Sequence, residues 1–189
     1  HLDFHTSPLI PDVGVAFDAD ELVRTLKDAS VDSICVFARC HHGMSYYPTE
    51  VGRRHPGLSR DLLGEQVAAC RRHGINVTAY TTVVWDEHVA QTHPEWRQVD
   101  RTGRPVGRGP LDLSHRWRFL CMNTPYVDYV VEHVEELLQG YPVDGLFVDI
   151  VFQMPPGCVC QHCLASMARL GLDPTDDADL RRHSRLVER

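Results

Sequence analysis

Three cysteines, Cys158, Cys160 and Cys163, form a C-x-C-x-x-C behind the turn Pro155-Pro156-Gly157, a spacing that lets three thiolates converge on one tetrahedral ion. A fourth thiolate is offered upstream by Cys121. One helix and one strand lie between, and they return the chain to the same end of a sheet. The set Cys121, Cys158, Cys160 and Cys163 therefore predicts a closed, structural Zn2+ site with no position open for catalysis. His162 could replace one cysteine. The competing reading makes the thiols small buried hydrophobes, as expected of Cys35 on its strand and Cys70 on its helix. A C-x-C-x-x-C in a Pro/Gly turn is hard to justify as core.

A carboxylate raises a second question. In the apolar run 145–151 (GLFVDIV), period-two geometry puts Phe147, Asp149 and Val151 on one face. Burying an uncompensated charge is costly, so Asp149 must be paired, hydrogen-bonded or at a solvent-filled cleft near the strand end. There it can serve as a nucleophile or general base; a loop-capping aspartate bonded to backbone amides is the alternative. His5 ends one expected strand, His41 and His42 follow the next, and Tyr80 or Trp85 belong to a third. Donors and stacking surfaces at successive strand ends suit a sugar or small-molecule pocket.

Such residues need a scaffold that gathers strand ends. Four β-type runs, 2–5, 33–39, 76–85 and 145–151, alternate with helical patterns at 18–29, 59–73 and 124–139. Ser59 and Thr124 are the expected N-caps, Pro125 a first helical position, and Gly74 and Gly140 the stops. The tail 164–189 reads as one or two helices broken at Pro174. This alternation implies an α/β protein with a parallel sheet buried on both faces. A doubly wound sheet and a (β/α)8 barrel compete, and the absence of GxGxxG after the first strand weighs against the dinucleotide-binding version of the former. About four strand–helix units would make the N-terminal half of a TIM barrel, a fold that usually needs roughly 250 residues. The long connections 40–58 and 86–122 carry His41, His42, Tyr46 and Tyr47, then His88, His93, Trp96, His115 and Trp117. In a barrel they would rim the C-terminal face, where active sites lie.

The chain has 189 residues, 43% hydrophobic, with a net charge of −7, as expected of one globular domain over 1–189. No Lys/Arg-rich run offers a phosphate footprint and no window nears the roughly 18 apolar residues of a span, so neither nucleic acid nor a membrane is an expected partner. No charged and then apolar leader opens the sequence. Seven cysteines, three of them clustered, suit a metal site in a reducing, cytoplasmic setting better than a disulfide framework.

The segments HLDFHTSP, SICVFARCHHGMSYYPT, HPGLSRDLLGEQVAACRRHGINVTAYTTVVWDE, HPEW, CMNTPY, DGLFVDIV and CVCQHC resemble, in order and across essentially the whole chain, the family labelled hypothetical glycosyl hydrolase six, which is similar to retaining α-L-fucosidases. The resemblance implies a barrel glycoside hydrolase acting on small oligosaccharides or glycosides. It makes Asp149 the nucleophile, His5, His41 and His42 holders of substrate hydroxyls, and Tyr80 and Trp85 aromatic site residues. The cysteine segment is similar to that of zinc-containing β-galactosidases, which implies zinc on Cys121, Cys158, Cys160 and Cys163. Those enzymes place Asn-Glu at the fourth strand where this chain has Val148-Asp149, so the fucosidase-like assignment is preferred. Retaining hydrolysis needs a second carboxyl about 5 to 5.5 Å from the nucleophile. None stands out after Val151, where Glu188 is expected to be solvated. The edges at 2–5 and 145–151 would be covered by a second copy of the chain, in a homo-oligomer, or by further residues. Two other readings remain: a metal-dependent barrel hydrolase with Asp3, His5, His41 and Asp149 on a catalytic zinc, and a non-catalytic sugar-binding fragment. The first is weakened by Asp-x-His where that class has His-x-His.

Overall fold

The computed structural model describes residues 1–107 and 117–189, so the His115 singled out above lies outside the described residues. The elements run α1 (Ala19–Asp28), β1 (Ser33–Arg39), β2 (Met44–Ser45), β3 (Arg53–Arg54), α2 (Leu62–Arg72), β4 (Asn76–Thr82), α3 (Glu87–Thr92), a 3-10 turn (Pro94–Trp96), α4 (Tyr126–Gly140), β5 (Gly145–Asp149), α5 (Gln161–Arg169) and α6 (Asp177–Val187). Contacts divide the chain into two units, 1–82 with 132–149 and 83–131 with 150–189. No helix among the described residues is long and apolar enough to cross a membrane.

The first unit holds a five-stranded sheet in the order β3-β2-β1-β4-β5. β1, β4 and β5 are parallel, in a register that sets Tyr80 beside Phe37 and Phe147, and Thr82 beside Asp149. The sheet is open among the described residues, with β3 and β5 at its edges. Val36, Ala38, Val77 and Ala79 on one face pack on Val23 of α1, Leu63 and Val67 of α2, and Leu137 of α4. The other face carries Phe37 and Tyr80 with Phe4, Tyr46 and Leu58. Burial of both faces is why β1 and β4 read as nearly continuous apolar runs. β5 is different, because Phe147 and Val148 are both exposed.

Several expected boundaries move. Residues 2–5 do not form a strand. Leu2 N does donate to Cys35 O (3.0 Å), but Phe4 O accepts from the Tyr46 hydroxyl and Thr6 N donates to it. Side chains thus satisfy the backbone groups a ladder would use. The strand expected to reach Trp85 stops at Thr82, and the one expected to reach Val151 stops at Asp149, where Ile150 takes φ +58°. Asp61 rather than Ser59 caps α2, accepting from Gly64 N at 2.9 Å. Gly140 lies inside the last turn of α4, whereas Gly74 has the positive φ (+70°) expected of a stop. β2 and β3, inside the connection 40–58, are too short to leave a periodic signal.

The second unit is less regular. Val83, Val84, Phe119, Leu120 and Tyr126 form its core with Val89 and Ala90 of α3, and Asp86 caps α3 through Val89 N (2.8 Å). Single antiparallel bridges join Trp85 to Phe119 and Arg97 to Leu120. The break around Pro174 separates α5 from α6, which starts at an Asp176 cap.

Candidate active site and metal centre

The parallel register of β1, β4 and β5 brings their C-terminal ends together, and the polar residues of the first unit collect there. Asp149 is the last residue of β5, and its Oδ2 accepts a 2.6 Å hydrogen bond from the Tyr80 hydroxyl. Tyr80 lies on β4 with its ring stacked on Phe37, centroids 4.0 Å apart. Burial, then the bonded Asp149 carboxylate, push the Tyr80 phenol far above its usual range. Tyr80 is therefore a fixed donor that orients the carboxylate.

Three histidines complete the cluster. The His5 and His41 rings stack with centroids 3.8 Å apart, and both face the Tyr80 ring at 6.0 and 6.2 Å. The main-chain N–H of His41 donates to His5 Nδ1 (3.1 Å). That places the proton of a neutral His5 on Nε2, which lies 3.3 Å from Asp3 Oδ1. His41 Nδ1 meets Thr82 Oγ1 at 2.8 Å. Burial lowers the pKa of all three, His41 to about 3, with the neighbouring imidazoles adding to the effect for His41 and His42. For His5, Asp3 and Asp149 partly oppose burial. At neutral pH the three imidazoles are uncharged donors and acceptors beside the Asp3 and Asp149 carboxylates, the chemistry that suits hydroxyls.

Sequence reasoning missed Thr82, two residues from Tyr80 on the same face, and gave Asp3 a role only as a metal ligand. Trp85 belongs to the second unit, where its ring meets Phe119 edge-on at 5.6 Å. Glu188 is exposed, as expected, and also accepts a hydrogen bond from Gln153 N (2.8 Å).

The second unit builds the thiol cluster. Cys121, Cys158, Cys160 and Cys163 are all buried, and their sulfurs lie within 4.8 Å of one another. The Cys121 sulfur is 3.5 Å from that of Cys163 and 3.9 Å from that of Cys160, against about 3.8 Å for sulfurs at tetrahedral positions on an ion bound at 2.3 Å. Main-chain N–H groups of Val99 and Cys160 donate to Cys158 Sγ (3.3 and 3.4 Å). Hydrogen bonding with Cys158 and the other thiols, then burial, push the Cys121 thiol up, while hydrogen bonding with Cys121 is the largest influence pulling Cys160 down. The set could hold a metal ion, and its sulfur spacing fits one. His162 stays outside the group and contacts Gln161. Among the described residues, only these four cysteines converge as three or more metal-ligating side chains; Asp3, His5, His41 and Asp149 do not.

The sequence model described as Hypothetical glycosyl hydrolase 6 matches residues 18–150. The chain belongs to this family. It is similar along its whole length to α-L-fucosidase isoenzyme 2 from Paenibacillus thiaminolyticus, with 38% identity and a TM-score of 0.90, and it spans 28% of that enzyme. An α-L-fucosidase from Bacteroides thetaiotaomicron matches 70% of the chain over 27% of its own length, with 21% identity and a TM-score of 0.50. A hypothetical protein from Ruminiclostridium thermocellum matches 86% of the chain over 92% of its own, with 12% identity and a TM-score of 0.61. The last two likenesses are of fold. None of the curated proteins matches.

Proposed function

We propose that the chain is part of a retaining, α-L-fucosidase-like glycoside hydrolase acting on small oligosaccharides or glycosides, and that its sheet is the N-terminal half of a (β/α)8 barrel. The observation that carries this reading is the Asp149 carboxylate, held by the Tyr80 hydroxyl at the end of β5 in a chain 38% identical to an α-L-fucosidase. Asp149 attacks the anomeric carbon and the bond to the glycosidic oxygen breaks. That oxygen keeps the electron pair and takes a proton from a general acid. Water, deprotonated by the same group, then releases the sugar from Asp149 with net retention. Tyr80 orients the carboxylate, and the neutral His5, His41 and His42 hold sugar hydroxyls. The acid is assigned to no residue of these 189.

Cys121, Cys158, Cys160 and Cys163 would hold a Zn2+ as a cross-link rather than for a reaction step, since four protein ligands fill a tetrahedral site. Seven free cysteines suit a reducing, cytoplasmic setting.

Nitrophenyl glycosides, α-L-fucoside first, test the proposal on this chain and on a chain extended to the relatives' length. The extended protein should hydrolyse the fucoside with retention, read by NMR of the first-formed product. The 189-residue chain should turn over only activated leaving groups, because leaving-group protonation contributes roughly 10² to 10⁴ in rate. Inversion, or efficient hydrolysis of unactivated glycosides by the 189-residue chain, overturns it.

A further inference from the structure

The four sulfurs are surrounded by N–H donors, and one of these does more than neutralise charge. Gln153 is 5% exposed. Its Nε2 points at two sulfurs, Cys121 at 3.5 Å and Cys163 at 3.9 Å. Its Oε1 accepts from the Ser184 hydroxyl on α6 (2.8 Å) and from Cys158 N (3.4 Å). The orientation of the amide is thereby fixed, because flipping it would set an NH2 group against the Cys158 N–H and strip the sulfurs of their donor. The Gln153 main-chain N–H donates to Glu188, directly after α6. Close approach at a second point agrees: a Cβ at Gly157, next to Cys158, would meet Leu180 O at 2.9 Å and Ser184 Oγ at 3.1 Å.

Four thiolates around a divalent ion leave two net negative charges in a buried site, which N–H donors must offset. Val99 N and Cys160 N serve Cys158; Asn123 reaches Cys163 at 3.7 Å. Among the described residues, Gln153 Nε2 donates to Cys121 from outside the cluster. A single planar amide thus joins the metal ligands at one end to α6 at the other.

We propose that Gln153 is an outer-sphere residue of the metal centre that sets how firmly the ion is held and couples its presence to the seating of α6. The proposal rests on the metal reading above. With the ion bound, the thiolates are strong acceptors that hold Nε2, and the amide presents Oε1 to Ser184. With the ion removed, nothing fixes the sulfurs at these positions and the amide loses its anchor. Gln153→Glu is the discriminating variant, since it keeps an acceptor for Ser184 and Cys158 N but replaces the donor to sulfur with a negative oxygen.

The experiment loads the 189-residue chain with Co2+, whose tetrahedral thiolate absorption reports binding. It then follows release into excess chelator and hydrogen exchange over 177–187. The loaded wild type should show slower exchange in α6 than the metal-free protein. Gln153→Glu should release Co2+ about 10- to 100-fold faster, the effect typical of outer-sphere partners. Ser184→Ala, which leaves the donor in place but frees the other end of the amide, should shift release in the same direction by less, and it decides the matter if Gln153→Glu does not fold. Wild-type release rates in both variants, or α6 exchange that ignores the metal, overturn the proposal while the metal centre stands. Failure of the wild type to take up Co2+ overturns the metal reading itself.

Discussion

At the thiol cluster all four sulfurs are buried, three of them come from one six-residue stretch, and the ligand set is closed. At the ends of β1, β4 and β5 the groups come from five separate places, 3–5, 41–42, 80, 82 and 149. They keep their buried members uncharged, and they sit beside an edge strand whose Phe147 and Val148 are exposed. The contrast is one of how charge is managed. The cysteines bring four sulfurs together where they could hold a cation. The strand ends suppress positive charge on their histidines and set two carboxylates among them, Asp3 beside His5 and Asp149 against a phenol. A closed set stabilises; an open, hydroxyl-matched set can receive a ligand.

Breaking the closed set should have the larger effect on stability. Cys160→Ser should drop the metal content from about one ion per chain to near zero and destabilise by more than about 4 kcal/mol, measured by elemental analysis and thermal unfolding. A Cys160→Ser chain that melts with the wild type would make the cysteines ordinary core.

Acid should act next, through His41 of the open set and through His133, which lies outside it. His41 is held down to about 3 and His133, buried on α4 near Arg39, to about 2. Their unfolded pKa is about 6.5, so below that value the unfolded chain binds more protons than the folded one, and stability rises with pH. It should be complete above about pH 6.5 and fall as pH drops toward 3, by up to about 1.4 kcal/mol per pH unit for each fully buried histidine. Urea unfolding between pH 7 and 5 with Zn2+ in excess reads this slope, and His133→Gln should reduce it. Imidazole resonances of His41 that titrate near 6.5 would show that the ring stack is solvated.

Tyr80→Phe removes the donor to Asp149 and should cost about 1 to 3 kcal/mol, with metal content unchanged. Asp149→Asn should be the mildest, within about 0.5 kcal/mol, because an amide oxygen can still accept from Tyr80, yet it should abolish fucoside turnover in the extended chain. A collapse in its melting temperature would make Asp149 a structural cap and erase the functional difference between the two regions.

How far each region was legible follows from the same contrast. The cysteine spacing is local, so C-x-C-x-x-C announced itself, and only Cys121 required the intervening helix and strand to be placed. Asp149 stood out because a carboxylate in an apolar strand has few permitted environments. Thr82 and the Asp3–His5 pair did not stand out, since their meaning depends on register across β4 and on the course of 1–6. That segment was misread as a strand because its alternation is genuine while its hydrogen bonds go to Tyr46 and His41.

By itself, the sequence determined the α/β alternation, the cysteines that converge and the residue types at the strand ends, because these depend on short-range periodicity and spacing. Tertiary structure alone decided that His41 N–H fixes the tautomer of His5, that the Tyr80 hydroxyl donates to Asp149, and that Gln153 faces sulfur on one side and α6 on the other. Each of these is a contact between groups 31 or more residues apart, and whether a donor meets its acceptor there is set by strand register and helix docking, which no local pattern encodes.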